Sequence, residues 1–533
     1  MKRNFNSKTR VPSLITSPPG EADRLKDLSR RSFLGKMGGA ATMAMVAGTV
    51  NLEGLTHTKH FLPTALQTAA GSSSVRVRQD VATLTQRQIG SYRKGVREMM
   101  SRPESDPTSW LYQANIHGTY DTPVRALWNT CQHGSFFFVS WHRMYAYWFE
   151  RIVRAASGDP DFVLPYWNWS NATTRALPDP FIDPPSRRNP LFTDQRAPGI
   201  NDGAMLPFSA VQIWQAFGFD NFSSPTGSGQ SFGGQELAAP QHLGGPHGQF
   251  ESRPHDINHI LIGGDLGLMS DPNLAARDPI FWLHHANVDR LWARWLNLQH
   301  GRADSTSAVW LDTPFQFFDE NGNQVTQTAR DVLDTAAQLN YTYDDDPGPL
   351  PLPPPVPPPP HPPGGSQSRL PQIQNLAASA QTPVMLSGTT LQTAVSAQAG
   401  ASARMAEAAH SGTTSLLLHL DNLKFDRPPG VIYEIYVNLP DSESADPRGP
   451  HFVGTLALFG VKPHHGAGAS APINIELDMR GAVAALDARG EWTGGDLTVT
   501  FVPRGLEAQP GRAPLAVATI HTVQIGTIWI STE

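Results

Sequence analysis

Cysteine is nearly absent from this 533-residue chain: Cys131 stands alone, so no disulfide can form within it. A concentrated basic stretch is also missing. Lys+Arg 41 against Asp+Glu 47 leaves a net charge of −6, spread without long like-charge blocks. That excludes the electrostatic footprint of a nucleic-acid binder. The apolar run near the N-terminus, from Met37 to Val50, is too short and too rich in Gly and Ala to span a bilayer as a mature helix. A soluble acidic protein is what remains.

With 39% apolar residues and this length, the chain predicts two or more packed domains. Residues 1–71 read as an export signal with a flexible lead-in. Ser29-Arg30-Arg31-Ser32-Phe33-Leu34-Gly35-Lys36 ahead of the apolar run has the pattern of a twin-arginine signal. Such a route carries folded proteins, and it predicts a periplasmic or secreted product. The export machinery is then a partner, and no stable membrane insertion follows export.

Residues 72–346 hold most of the aromatics and histidines and read mainly as helices joined by long loops. Met144–Val153 continues from Trp141-His142-Arg143 with apolar residues at helical spacing, and Val288–Leu296 does the same. The Gly-, Ser- and Pro-rich stretch from Ser223 to Gly248 reads as irregular connection. Residues 347–368 form a proline-rich linker. Its run from Pro347 to Pro363 suits extended polyproline II of roughly 50 Å. Residues 369–533 switch to period two. Val431–Val437 and Ile473–Leu477 alternate as half-buried strands do, with further candidates at Ser415–Leu420, Phe452–Phe459, Leu497–Val502 and Val523–Ile530. Short strands with Gly, Pro and Asp turns predict an all-β, sandwich-like C-terminal domain.

Chemistry is carried by histidines in the first of these domains. His255 and His259 are four apart, so on a helix they share a face, a weak signal alone. His117, His133 and His142 are no clearer in isolation. Context sharpens two of them. His142 lies in Phe136-Phe137-Phe138-Val139-Ser140-Trp141-His142-Arg143, and His285 in Asp278-Pro279-Ile280-Phe281-Trp282-Leu283-His284-His285-Ala286-Asn287-Val288-Asp289-Arg290. Imidazoles set repeatedly against aromatic residues, without nearby cysteines or carboxylate clusters, suit a metal that prefers nitrogen donors. Copper fits better than zinc or iron.

His133…Phe138…Trp141-His142-Arg143…Glu150 resembles the first copper signature of the tyrosinase and polyphenol oxidase family, the type-3 dicopper proteins. Asp278-Pro-Ile-Phe-Trp-Leu-His-His285-Ala-Asn-Val-Asp289 resembles the second, in which the second of the adjacent histidines is the ligand. Trp110…Ala114-Asn115-Ile116-His117-Gly118 and Pro254-His255-Asp256-Ile257-Asn258-His259…Gly263-Gly264 are similar to the remaining ligand segments, in family order. The resemblance implies a mainly α catalytic domain with a four-helix bundle dicopper core. It implies one copper on His117, His133 and His142 and another on His255, His259 and His285, with O2 as co-substrate. His133 and His142, nine apart, would face opposite sides of one helix, so His133 is expected on a loop and His142 where a helix opens. His284 takes a structural role, being turned about 100° from His285, and His242 and His247 stay unassigned. Asp289 and Asn258 are candidates to support the ligands from behind.

The same resemblance implies oxidation of small phenols or catechols to o-quinones, as a tyrosinase or catechol oxidase. The rival activities are o-aminophenol oxidation and reversible O2 binding of the haemocyanin kind. Cys131-Gln132-His133 matches the arrangement that fungal tyrosinases and molluscan haemocyanins use for a thioether to the second ligand of the first copper. Glu251, four residues before His255, stands where the family carries a glutamate that holds a water for monophenol deprotonation. Its usual asparagine partner is here Asp256, which when ionised accepts but cannot donate. Leu339-Asn340-Tyr341-Thr342-Tyr343 resembles the tyrosine motif that closes the catalytic domain, and Lys424-Phe425-Asp426 a motif in the plant enzymes' tail. The C-terminal domain thereby resembles one that shields the coppers in latent forms, through a side chain the sequence does not single out. Oligomeric state and preferred phenol are left open.

Overall fold

Thr85 opens the first long helix of this computed structural model. Its hydroxyl accepts from the Gln88 amide, and the Gln88 side chain accepts from the Thr85 amide in return. Helix α1 (Gln86–Ser101) buries Ile89, Tyr92, Gly95, Val96 and Met99 on one face. Helix α2 (Trp110–His117), capped by Ser109, is buried nearly throughout. Helix α3 (Phe138–Ser157) carries the Phe-Trp-His run of the first signature and stops at Gly158, whose φ of 67° suits a residue without a Cβ. Helices α4 (Asp256–Gly263) and α5 (Ile280–Asn297) complete the set that matters for the site. Gly95 lets α1 lie close on α3, because a Cβ there would stand 2.8 Å from Val153. Helix α3 in turn packs on α5.

The residues described are 74–225, 231–244, 247–298, 301–345, 373–379, 382–411, 414–461, 473–493, 496–510 and 519–532. The twin-arginine segment, the apolar run after it and the proline-rich stretch lie outside them. Among the described residues no helix is long and apolar enough to cross a membrane.

The two ends of the helical domain are tied together. Strand β1 (Arg76–Arg78) pairs in parallel with β2 (Tyr341–Tyr343), the tyrosine motif. Arg78, fully buried, donates to Glu150 at 2.9 Å and to Asp289 at 3.2 Å. Asp289 also accepts from Arg143, Tyr341 and Tyr343. Its ring of donors holds its carboxyl below the ordinary range although burial pushes the other way. One carboxylate therefore joins α3, α5 and both terminal strands.

The C-terminal domain is β-rich, as its period-two pattern implies. Strands β3 (Gln374–Ser379), β4 (Leu391–Ala397), β5 (Leu416–Leu423), β6 (Ile432–Val437), β7 (Phe452–Leu456), β8 (Ile473–Asp478), β9 (Leu497–Arg504) and β10 (Thr527–Thr532) form one eight-stranded sheet. The order is β7-β6-β9-β4-β3-β10-β5-β8, and the edge strands β7 and β8 touch, so the sheet nearly closes. Its core includes Leu418, Leu420, Ile435, Val499, Phe501 and Ile528. Two helices not read from the sequence, α6 (Ala401–His410) and α7 (Arg480–Ala488), pack on one another against it. Two strand candidates come out shorter than the alternation implied. Val523–Ile530 divides at Gly526, with Val523–Ile525 pairing to Val384–Leu386 instead. Phe452–Phe459 leaves the sheet after Leu456. Phe425 of the Lys-Phe-Asp motif is buried in this domain's core.

Both domains belong to one compact unit. Met205 and Glu507 exchange two backbone hydrogen bonds of 2.8 Å, and the Glu507 carboxylate accepts from Arg175 at 2.7 Å. Arg253 lies under Gly454 of β7, where any Cβ would stand 2.1 Å from its guanidinium nitrogen. Ile432 and Phe459 pack into the core of the helical domain rather than their own.

Candidate metal centre

Each histidine singled out in the sequence is delivered by a separate piece of local structure. His117 ends α2, His133 sits on the loop before α3, and His142 lies in the second turn of α3. His255 directly precedes α4 and His259 lies within it, and His285 lies in α5. Between Glu251 and His255 the helical path is broken at Arg253, whose φ of −151° and ψ of 119° are extended. Pro254 follows, and an X-Pro junction disfavours a helical residue before it. That break takes Glu251 and His255 off a common helix, and Glu251 meets His133 while His255 meets Asp256.

The six rings converge. Centroids of His117, His133 and His142 are 5.2–5.5 Å apart. Those of His255, His259 and His285 are 4.5–5.6 Å apart. The two groups meet where His142 stacks on His285 at 4.2 Å and His133 approaches His255 at 5.7 Å. All six are buried.

Their hydrogen bonds share one polarity. Nδ1 of His117 is 2.7 Å from the Pro272 carbonyl, that of His142 2.9 Å from Phe138 O, and that of His259 2.8 Å from Met269 O. Nδ1 of His133 meets Glu251 Oε1 at 2.7 Å, and Nδ1 of His255 meets Asp256 Oδ1 at 2.9 Å. These acceptors fix the proton on Nδ1 and leave Nε2 with a lone pair. Nε2 of His142, His255 and His259, and both ring nitrogens of His285, are buried without a hydrogen-bond partner. Nε2 of His117 and His133 are 3.3 Å apart, an unfavourable approach for two lone pairs alone. Buried polar atoms are rarely left so. Burial lowers the pKa of all six, with neighbouring imidazoles adding to it at most of them, and takes His142 down to about 3. Neutral imidazoles with inward lone pairs suit a metal of the copper kind.

Other expectations fare differently. The ring of His284, expected to be structural, is 4.8 Å from His259 and 5.3 Å from His255, and both its nitrogens are buried without partners. Its far side rests on Trp169 at 5.7 Å. Asp289 does not support a ligand histidine from behind. It is taken up by Arg78, Arg143 and the two tyrosines, because a buried carboxylate is held by the nearest cations. Asn258 is buried with neither side-chain atom hydrogen-bonded.

Cys131 is buried, and its Sγ lies 3.3 Å from Nδ1 of His242. It also falls within 4.8 Å of a nitrogen of His133 and of His117. Glu251 is fully buried rather than at the surface, and besides His133 it accepts from the Gly134 amide at 3.0 Å. Burial raises its pKa to about 8. Asp256, raised in the same way by burial, accepts at its second oxygen from Nδ1 of His247 at 2.7 Å. Burial opposes the charge on His247, but Asp256 and Glu251 beside it raise its pKa to about 9.

Two residues of the site escaped the sequence. His247 lies in the Gly- and Pro-rich connection, where no periodicity marks it. Phe459 comes from the C-terminal domain. Its ring stacks on His259 at 4.0 Å and 22°, and meets His133 at 5.7 Å and His255 at 5.5 Å edge-on. The signal available for it was Gly460, whose φ of 76° ends the strand pattern immediately after.

Residues 107–202 and 218–298 match the common central domain of tyrosinase, 304–351 a polyphenol oxidase middle domain, and 373–521 a domain of unknown function. Over 489 residues the chain is 30% identical to a tyrosinase of Hahella sp. (strain CCB-MM4), covering 84% of this chain and 99% of that one. It is 26% identical over 464 residues to a chloroplastic polyphenol oxidase of Malus domestica, covering 81% and 76%. Among solved structures, latent apple tyrosinase superposes with a TM-score of 0.57 at 24% identity, over 86% of this chain and 97% of that one. Recombinant latent aurone synthase gives 0.56 at 22%, over 86% and 89%, a likeness of fold.

Proposed function

The chain belongs to the tyrosinase and polyphenol oxidase family, which oxidises phenols with O2 at a pair of copper ions, and from that premise we propose how its own residues serve that reaction. His117, His133 and His142 hold one copper, and His255, His259 and His285 hold the other. The observation that carries this is the polarity shared by five of the rings, Nδ1 held by an acceptor and Nε2 left toward the other imidazoles, with His285 stacked among them and both its nitrogens unpartnered. When bound, the coppers supply the two-electron redox chemistry by which O2 oxidises a phenol or catechol to an o-quinone. The protein supplies ligand orientation and a buried surround of aromatic rings.

Glu251 and Asp256 are the positioning carboxylates. Each holds the Nδ1 proton of one ligand, His133 or His255, which favours the neutral tautomer and increases the basicity of Nε2. With Glu251 turned onto His133 and Asp256 onto His255, and no asparagine side-chain amide at position 256, the pair is not arranged to hold a water for monophenols. Diphenol oxidation is the activity this arrangement favours. Cys131 forms a thioether to His133: its thiol hydrogen and one ring hydrogen leave to O2 as oxidant, and an S–C bond takes their place. Support comes from the short spacing and the nearness of Sγ to that ring.

The enzyme is made latent. Phe459 occupies the face of His259 over which a phenol must lie, and its residence there excludes substrate until the C-terminal domain is displaced. The chain leaves its cell by the twin-arginine route, and the catalytic, linker and shielding segments divide near 346 and 369. Metal analysis with catechol turnover, before and after limited proteolysis within 347–363, tests the whole reading. About two coppers per chain and a rate that climbs on cleavage are expected. A protein without copper ends the metal assignment, and equal rates before and after cleavage end the shielding assignment.

A further inference from the structure

His247 stands where two hydrogen-bonded pairs meet. On one side His255 gives its Nδ1 proton to Asp256 Oδ1, and the other oxygen of Asp256 takes the Nδ1 proton of His247 at 2.7 Å. On the other side His133 gives its Nδ1 proton to Glu251 Oε1, and that same oxygen lies 3.5 Å from Nδ1 of His247. The path His255–Asp256–His247–Glu251–His133 thus joins one histidine triad to the other by three hydrogen bonds and one ion-pair contact, outside the space the metals would fill. Both carboxylates are buried, and His247 is only 12% exposed. Its ring also lies nearly parallel to that of His133, 6.1 Å away at 25°.

Two buried carboxylates this close would repel and swing apart without a donor between them. Each swing would drag a histidine with it, because an imidazole follows the acceptor of its Nδ1 proton. Resting on the ligand assignment above, we propose that His247 is a positioning residue for both copper sites, a single donor that keeps the Asp256 and Glu251 carboxylates in place and so fixes His255 and His133 together. Copper retention at the two sites is therefore linked through one loop side chain. The bond to Asp256 is of hydrogen-bond length and the contact with Glu251 is an ion-pair distance of 3.5 Å, so the trio of His247, Glu251 and Asp256 is held together as it stands and serves the centre from outside it.

His247 has a second neighbour of consequence. A Cβ on Gly460 would stand 3.6 Å from its Cε1 and 3.8 Å from its Nε2, so the loop that presents Phe459 also lies against the residue that spans the two ligand sets.

The test follows copper release rather than turnover. Full-length protein loaded with copper is mixed with excess Cu(I) chelator, and release is followed by the chelate's absorbance. His247→Leu is expected to release both coppers roughly 10–100-fold faster than wild type, the usual cost of losing a partner behind a metal ligand. His247→Asn, whose amide donates from the place of Nδ1, should stay near wild type. His247→Gln, whose amide falls at the place of Nε2, should behave as Leu does, and it stands in for Leu if that variant does not fold. Wild-type release rates in His247→Leu and His247→Gln overturn the proposal. Acceleration of one copper alone overturns it too, as does equal acceleration in the Asn and Gln variants. A wild-type protein that binds no copper fails the ligand assignment instead, and does so before any variant is made.

Discussion

The Phe459 ring lies 4.0 Å from the imidazole of His259 and almost parallel to it, although the two residues belong to different domains. A phenyl ring in that position has the shape and the chemistry of a substrate ring, held by the protein against itself. The loop that delivers it leaves β7 where the alternating pattern ran on, so an interrupted strand is what places a side chain from the β-rich domain inside the helical one.

Truncating that ring should unmask the centre without cutting the chain. Removing a buried phenyl costs about 3–5 kcal/mol, here charged to the docked state because Phe459 packs with the helical core. Full-length Phe459→Ala is expected to oxidise catechol at least about tenfold faster than full-length wild type, as read from initial rates. Equal rates would remove Phe459 from any shielding role.

The adjacent histidines offer a direct comparison. His285→Ala should lower the copper content from two per chain toward one, because it removes one of the three nitrogen donors of the second triad, which lie within 4.8 Å of one another. His284→Ala should keep both metals and lose stability instead, since its imidazole fills space against Trp169. Elemental analysis of the two purified variants decides it, and loss of copper from His284→Ala alone would reverse the assignment.

Asp289 should behave as a structural fastener. Replacing it with Leu leaves Arg143 buried without its counter-charge and Arg78 with Glu150 alone, and breaking a buried pair typically costs about 3–5 kcal/mol. The urea midpoint of Asp289→Leu should fall accordingly. A midpoint within error of wild type would mean that Glu150 and the Tyr343 hydroxyl suffice for Arg78, and the Val332 carbonyl and Trp292 ring for Arg143.

Asp304 sets a pH dependence remote from the metals. Burial raises its pKa to about 6 in the folded protein, against the lowering effects of Arg143 and the Trp292 indole bond. The folded state therefore binds this proton more tightly than the unfolded one, and stability falls as pH rises from about 4 to 6. Asp304→Asn should flatten that slope and gain roughly 1–3 kcal/mol at neutral pH. Denaturant midpoints across this interval, wild type against variant, provide the check.

The parts of the centre that could be read from the sequence are those built from local pattern. His142 and His285 lie in long apolar helices whose aromatic neighbours announce burial. The β-rich tail shows in strands such as Ile473–Asp478, where the exposed residues alternate as the pattern implies, whereas Ile432–Val437 is a strand but is buried on both faces, with a paired strand on each side. What could not be read depends on chain segments that meet only in three dimensions. His247 is set by the turn after a Gly- and Pro-rich loop, and its partners are 4 and 9 residues on only because Arg253 breaks the helix between them. Phe459 gains its meaning from a domain contact, as do Arg253 and Gly454. Asp289 shows the converse: the motif placed it near the ligands, and two arginines from distant strands and helices claimed it first.

That carboxylate has one more consequence. Arg78 enters the helical domain near its beginning and Tyr343 leaves it near its end, and both grip Asp289, while Asp345 just beyond is held by Arg290 and Arg294. The domain is thus hemmed at the very edge where the proline-rich stretch begins. Cleavage within that stretch should therefore leave a finished border behind it, and the helical domain's own melting temperature unchanged.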